Sequence, residues 1–341
     1  MSIKSNKIML FSLVMFLSLF FGNNTLAKKQ PTNQTVLKIK TFSIQKKFNI
    51  QLHKKSIVRL MTLNLAHGSN NRFGLVPMFT SRRKIKHRLQ QNALIIKRES
   101  PDVVAFQEAD GPSWWSGRFH HVNYLAKHAQ FRYAILGIHV KTKSKRYGTA
   151  LISRLHLSHT ISYKFTKVGL FKKGFVIATI QWPSHPSLKV DIVSLHLHPS
   201  NLKIQRYQVK EVIQFSKTRK RPVIIMGDFN NTWNKENSPL WLLAFNLKMQ
   251  VYKANLPNMY THRALHKRRL DWILIPPHFH FVHYRVIRDV ISDHYGVVAD
   301  ILYLPPKRTL NIKKLKTSSH PKTSKKKNLP TSLMIKEQSP S

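Results

Sequence analysis

The chain contains no cysteine. That excludes disulfides, a disulfide-linked partner, thiolate-held metals and a cysteine nucleophile. Any metal must be held by oxygen or imidazole, and oxygen donors favour hard ions such as Mg²⁺, Mn²⁺ or Ca²⁺. Carboxylates are also scarce: 13 Asp plus Glu stand against 58 Lys plus Arg in 341 residues, a formal net charge of +45. An acid at the end of an apolar run is therefore informative, because this surface hardly uses acids as filler. Such a charge balance attracts polyanions: nucleic acid, anionic lipid headgroups or acidic polysaccharide. No internal repeat is present, which excludes a solenoid or propeller array.

Residues 1–27 read as an export signal. Lys4 and Lys7 precede a 14-residue apolar run, Ile8 to Phe21, and Thr25-Leu26-Ala27 offers a small-residue cleavage site. The run is shorter than the ~20 residues of a membrane span, so the expected destination is a periplasm or the exterior. Residues 28–56, with eight lysines and no acid, read as a basic linker or extension with a short strand near Val36 to Ile44. Residues 307–341, with ten basic residues and Glu337 as their single acid, read as a disordered basic tail.

Between them, residues 57–306 have the size of one α/β domain. Apolar runs and alternation predict strands at 57–63, 103–107, 133–138, 148–153, 175–181, 190–195, 223–226, 272–275 and 297–304. Helical spacing predicts helices at 83–98 and 202–217, and Ser238-Pro239 opens a third at about 239–246. Many strands with few long helices imply two packed sheets with helices outside.

The central stretch is Val223-Ile224-Ile225-Met226-Gly227-Asp228-Phe229-Asn230, a buried strand running into an acid and an amide. Residues two apart on an extended chain share a face, which would put Asp228 and Asn230 in one pocket mouth. The same residues also suit an ordinary Asn/Asp turn. Other strand termini are comparable: strands end with Asn64 in TLNLAHG, Glu108 in DVVAFQE, and His196 and His198 in VSLHLHP, one begins with Asp271 in RLDWIL, and Asp293-His294 in SDHYGV precede the last. Each alone has a structural explanation, as a cap, a turn or an Asp271–arginine pair.

Read in order, with YGTALISR at 147–154, this set resembles the endonuclease/exonuclease/phosphatase superfamily, a group of metal-dependent phosphodiesterases and phosphatases. The resemblance spans about 57–303. It implies a four-layer αββα sandwich of two mixed sheets flanked by helices, with the site at the strand ends. It further implies Mg²⁺, or Mn²⁺, held by Glu108 with Asn64 and Asp293. Asp228 would orient and deprotonate the attacking water, and Asn230 would hold a nonbridging phosphate oxygen. His196 would donate to the phosphate or protonate the leaving group, and His294 would also contact the phosphate, with Asp271 fixing its tautomer. One departure stands out: where abasic-site endonucleases carry a second acid two residues after the asparagine, this chain has Ala66, followed by His67.

The expected activity is exported, Mg²⁺-dependent phosphoric ester hydrolysis by a monomer, with nucleic acid the first substrate class. Lipid-directed hydrolysis, of the sphingomyelinase or phosphoinositide phosphatase kind, is the second reading. A non-catalytic polyanion-binding module is the third. Trp114-Trp115, on a Gly/Pro-rich loop after Glu108, would either contact substrate or cover the core. Lys141 to Arg146 would form a solvated basic hairpin near the site.

Overall fold

The computed structural model describes residues 37–38, 42–43, 56–69, 80–169, 171–233, 236, 238–263 and 268–306. The expected export signal and basic tail lie outside the described residues, as does most of 28–56.

The strands are β1 Leu37–Lys38, β2 Phe42–Ser43, β3 Ile57–Asn64, β4 Val103–Asp110, β5 Tyr133–Lys141, β6 Arg146–Ser153, β7 Ser158–Lys164, β8 Gly174–Trp182, β9 His185–His196, β10 Val223–Asp228, β11 Gln250–Val251, β12 Asp271–Ile275, β13 Phe279–Ile287 and β14 Gly296–Tyr303. The helices are α1 Arg82–Glu99, α2 His121–His128, α3 Leu202–Lys217 and α4 Pro239–Asn246. One sheet runs β7-β8-β9-β10-β12-β11 and the other β13-β14-β3-β4-β6-β5. The two-residue strands β1 and β2 extend β7 and β5 at the sheet edges. Both sheets are mixed: β9–β10 and β3–β4 pair in parallel, and the other pairs are antiparallel.

Three cores define four layers. Between the sheets lie Leu60, Val103, Ile192, Ile224, Met226 and Ile273, among others. On one outer face Met61, Leu63 and Phe106 pack against Ile85, Leu89 and Ile96 of α1. On the other, Val193, Leu195 and Ile225 pack against Val209 and Val212 of α3 and Leu240 and Leu243 of α4. This is the αββα sandwich expected from the motifs. Period-2 alternation does the sorting, since neighbours such as Leu60 and Met61 enter different cores. Each fully buried Leu, Ile or Phe contributes about 1.5–3 kcal/mol.

The helices begin where their sequences say they should. Ser81 accepts a hydrogen bond from the Lys84 amide, and Ser238 accepts one from Trp241 with Pro239 in the first turn. Helix α2 and strands β7, β11 and β13 were not anticipated. Strand β7 is half-exposed and polar, and β13 intersperses His and Arg with its aromatics, so neither shows a clean apolar alternation. Among the described residues, no helix is long and apolar enough to cross a membrane.

Candidate active site

The alternation that builds the inter-sheet core also builds the site. Counting by twos from Ile192, Met226 and Ile273 along their strands reaches His196, Asp228 and Asp271. Counting by twos from Leu60 reaches Asn64. All four therefore emerge from the inter-sheet face at one end of the sandwich. Register aligns them: Asp228 lies opposite His196 on β9 and opposite Asp271 on β12. Beneath them the sheets are stitched together. Gln107 donates to Ser194 Oγ (3.1 Å), Ser194 donates to the Phe106 carbonyl (2.9 Å), and Thr62 donates to Gln107 (3.3 Å).

Asp228 is the hub. Its Oδ2 accepts from Asn64 Nδ2 at 2.9 Å and faces His196 Nε2 at 3.4 Å and His294 Nε2 at 3.9 Å. Its Oδ1 accepts from the Asn230 amide at 2.8 Å. Burial opposes its charge, but His294, His196 and that amide prevail and hold the carboxyl well below its usual range. Asn230 enters the cleft by a turn and not by an extended chain. The strand ends at Asp228, Asn230 has φ 49°, and its Nδ2 donates to the Leu197 carbonyl at 3.0 Å. The turn explanation thus holds for the backbone, while both side chains still line one cleft.

His294 Nδ1 bonds to Asp271 Oδ2 at 2.7 Å, with Asp271 wholly buried. Burial works against the imidazolium, yet Asp271 and Asp228 raise its pKa well above the usual value. Asp271 is oriented in turn by Thr261 Oγ1, which accepts from its amide at 3.0 Å.

Glu108 comes from the other sheet. Regular alternation would point it at the helix layer, because Gln107 faces between the sheets. A bulge between Phe106 and Ala109, with Glu108 at φ 50°, turns it into the cleft. There Lys173 Nζ lies 3.0 Å from Glu108 Oε1 and 3.3 Å from His196 Nδ1. Despite burial, Lys173, His67 and His196 hold the Glu108 carboxyl far below its usual range. His67 bonds Asp110 at 2.7 Å and approaches Glu108 Oε2 to 3.6 Å. His67, the residue after Ala66, therefore touches Glu108 from behind the cleft.

Asn64, Glu108, Lys173, His196, Asp228, Asn230, Asp293 and His294 line one cleft of about 410 Å³, with Phe171, His262 and Arg268 on its walls. The expected residues thus converge, with Asp271 behind His294. Lys173, Asp110, His262 and Arg268 were missed. The scarcity of acids could have drawn attention to Asp110, and the Lys-Gly before an apolar strand to Lys173. His198 is buried, its Nδ1 accepting the amides of Ser200 and Asn201 ahead of α3. The tryptophans divide: Trp115 is buried against His67 and Tyr147, whereas Trp114 is 55% exposed. The basic hairpin is present, closed by the Thr142 amide on the Lys145 carbonyl, and Trp114 donates to Ser144.

Oxygen donors for a hard cation are gathered here. Burial and the neighbouring charges of Glu108 and Asp228 push Asp293 up, although His294 opposes them, and a divalent cation would relieve that repulsion. Two further groups, His262–Asp293–His294 and Asp228–Asp271–His294, bring ligand atoms within 4.8 Å of one another.

The endonuclease/exonuclease/phosphatase family model matches residues 61–294. The chain belongs to that family. Its members generally hydrolyse phosphoester bonds and typically use divalent metals. Among solved structures, an endonuclease/exonuclease/phosphatase from Beutenbergia cavernae is 18% identical, with 72% of each chain covered and a TM-score of 0.54. Humanized D. rerio TDP2 is 17% identical over 72% of this chain and 99% of its own, with a TM-score of 0.53. Beta toxin from Staphylococcus aureus is 16% identical over 71% and 99%, with a TM-score of 0.51. At these identities the likeness shows the fold. No curated protein matches the chain.

Proposed function

We propose that the chain is an exported, monomeric, Mg²⁺-dependent phosphodiesterase that hydrolyses its substrate by in-line attack of water, with Mn²⁺ an alternative ion. The observation that carries this is the convergence on Asp228 of Asn64, His196 and His294, facing Glu108 across one cleft. A module that merely binds polyanions gains nothing from gathering acids in a positively charged protein.

Glu108 would hold the ion, with Asn64 and Asp293 completing the oxygen donors. Bound there, the ion would neutralise charge on the phosphate and leaving oxygen. Asp228 aims the water; a carboxylate held so low is a weak base, so it takes the proton only as the oxygen–phosphorus bond forms. Asn230 and His196 donate to nonbridging oxygens. His294, charged and braced by Asp271, contacts the phosphate beside them.

Nucleic acid is the first substrate class, supported by the +45 charge and by Arg268 and Lys173 in the cleft. A phospholipid headgroup is the second reading. Trp114 and Phe171, exposed at 55% and 48%, favour it, because exposed aromatics beside lysines suit a lipid interface. Supercoiled-plasmid nicking by protein lacking residues 1–27 is the test, run with Mg²⁺, with chelator, and beside Asp228→Ala. Nicking that needs both the ion and Asp228 supports a nuclease. Folded protein that binds Mg²⁺ yet leaves the plasmid intact transfers the reading to phospholipid esters.

A further inference from the structure

Lys173 belongs to none of the motifs that mark the site, yet it touches both halves of it. It is the residue before β8, and Gly174 beside it lies in register with His196. A side chain at Gly174 would collide with the Tyr163 carbonyl oxygen, 2.1 Å from an added Cβ, and with the His139 ring at 2.8 Å. The strand start is therefore clamped, and Lys173 with it. The lysine is itself nearly buried. Its Nζ lies 3.0 Å from Glu108 Oε1 and 3.3 Å from His196 Nδ1.

An ammonium group has three donors and no acceptor. His196 Nδ1 must therefore accept, which leaves the ring proton on Nε2. That atom faces Asp228 Oδ2 at 3.4 Å at the cleft wall. The same ammonium contacts the carboxylate through which the divalent ion would be held.

We propose that Lys173 is a positioning residue that fixes His196 as the Nε2–H tautomer, a neutral donor toward a phosphate oxygen, and that it competes with the divalent cation for Glu108. The proposal rests on the phosphodiesterase reading given above and deepens it. His196 then donates a hydrogen bond without carrying the proton delivered to the leaving group. Lys173 also prevents Glu108 from standing as an uncompensated, partly buried charge before the ion arrives. The contest for Glu108 lowers the affinity for the ion in exchange for a site preassembled without it.

The test begins with the full chain free of metal. Two-bond ¹H–¹⁵N correlation at pH 8 reads the His196 tautomer directly, and an Nε2–H ring with an unprotonated Nδ1 is expected. A protonated Nδ1 in the wild-type protein overturns the proposal whatever any variant does. Lys173→Met should lose the single-tautomer signature, whereas Lys173→Arg, which still donates, should keep it. Calorimetric titration with Mg²⁺ should show Lys173→Met binding the ion more tightly, by about tenfold, since an opposing charge at contact distance is gone. Affinity that is unchanged or weaker in folded protein overturns the competition. On a phosphodiester substrate, kcat should fall about 100-fold with KM little changed. Should Lys173→Met fail to fold, Lys173→Gln, a neutral donor, separates the two claims: it should keep the Nε2–H tautomer and still bind Mg²⁺ more tightly than wild type. Tautomer and ion affinity are measured without turnover. A protein that meets both expectations and hydrolyses nothing therefore refutes the phosphodiesterase reading and leaves the geometry of Lys173 intact.

Discussion

Single histidines in this domain are tuned in opposite directions, and the surroundings explain the sign. His294 is raised by two carboxylates. His139 lies under the site, bonded to Thr149 Oγ1 at 3.0 Å. Burial, then His196 and Lys173, push its pKa down to about 3. His120 is pushed down to about 4 by burial and His121. Its Nδ1 accepts the Asn123 amide to cap α2, which requires an unprotonated nitrogen. In the unfolded chain both titrate near 6.5, so below that pH the unfolded state binds more protons than the folded one. The contribution of these two groups is complete above pH 6.5 and falls as the pH drops from there toward 3–4. Each group contributes a slope of up to about 1.4 kcal/mol per pH unit. Urea melts between pH 7 and pH 4.5 should show this loss, and His139→Gln should flatten it; equal slopes in the two proteins would refute the account. What the sequence revealed at this scale was the set of motif residues, Asn64 through His294, because each stands at one end of an apolar run. Lys173 and Asp110 were illegible as partners, since contacts such as Lys173–Glu108 join residues 65 apart in the chain. His67 occupies a turn, with φ 57°, and approaches Glu108 to 3.6 Å.

Elements reach the site only if neighbouring strands and the two sheets hold their spacing, and one feature controls each. Gly227 has φ 150°, and an added Cβ would lie 2.0 Å from the Leu195 carbonyl oxygen. Glycine is needed there because β9 approaches β10 from the side, a reason beyond any turn the sequence implied. Gly227→Ala should cost about 3 kcal/mol or more, or prevent folding, as measured by thermal melting. A melting point within 2 °C of wild type would refute it. The second feature is the Gln107–Ser194 link. Truncating one partner leaves a buried polar group unmatched, which costs about 1–3 kcal/mol. Gln107→Ala, Ser194→Ala and their combination should therefore be non-additive, the double variant being less destabilised than the two single losses together. Additive losses would mean that the link contributes nothing specific. The sequence was most readable where elements bury one continuous face, as in β3, β4, β9, β10 and α1. Strand β7 and helix α2 depend on neighbours for their definition, so their own residues announced them poorly.

Across the molecule, acids occur where geometry demands them. Glu108, Asp110, Asp228, Asp271 and Asp293 gather at the site. Asp300 and Glu99 pair with Arg59, Arg98 and Arg285, and Asp191 with Arg219 and Arg221. The rest of the surface is left basic: residues 57–306 hold 38 basic residues against 12 acidic, and 307–341 add ten more. The carboxylates of the site repel a substrate phosphate locally, offset in part by Lys173 and His294, while the surrounding basic field draws a polyanion toward it. Capture and chemistry should therefore separate experimentally. Each phosphate neutralised by a lysine or arginine releases counterions, so engagement of about four phosphates gives a log–log salt slope near −3.6. Raising salt from 50 to 200 mM should then lower kcat/KM on plasmid by about two orders of magnitude and leave kcat nearly unchanged. A small monoanionic diester such as bis(p-nitrophenyl) phosphate should respond weakly over the same range. Removing residues 307–341 should make the plasmid slope shallower without touching kcat, because they carry ten basic residues and none of the motif residues. A steep salt effect on kcat itself would mean that the charge acts in the chemical step, and a flat plasmid response would mean that the polyanion this surface suits is not nucleic acid.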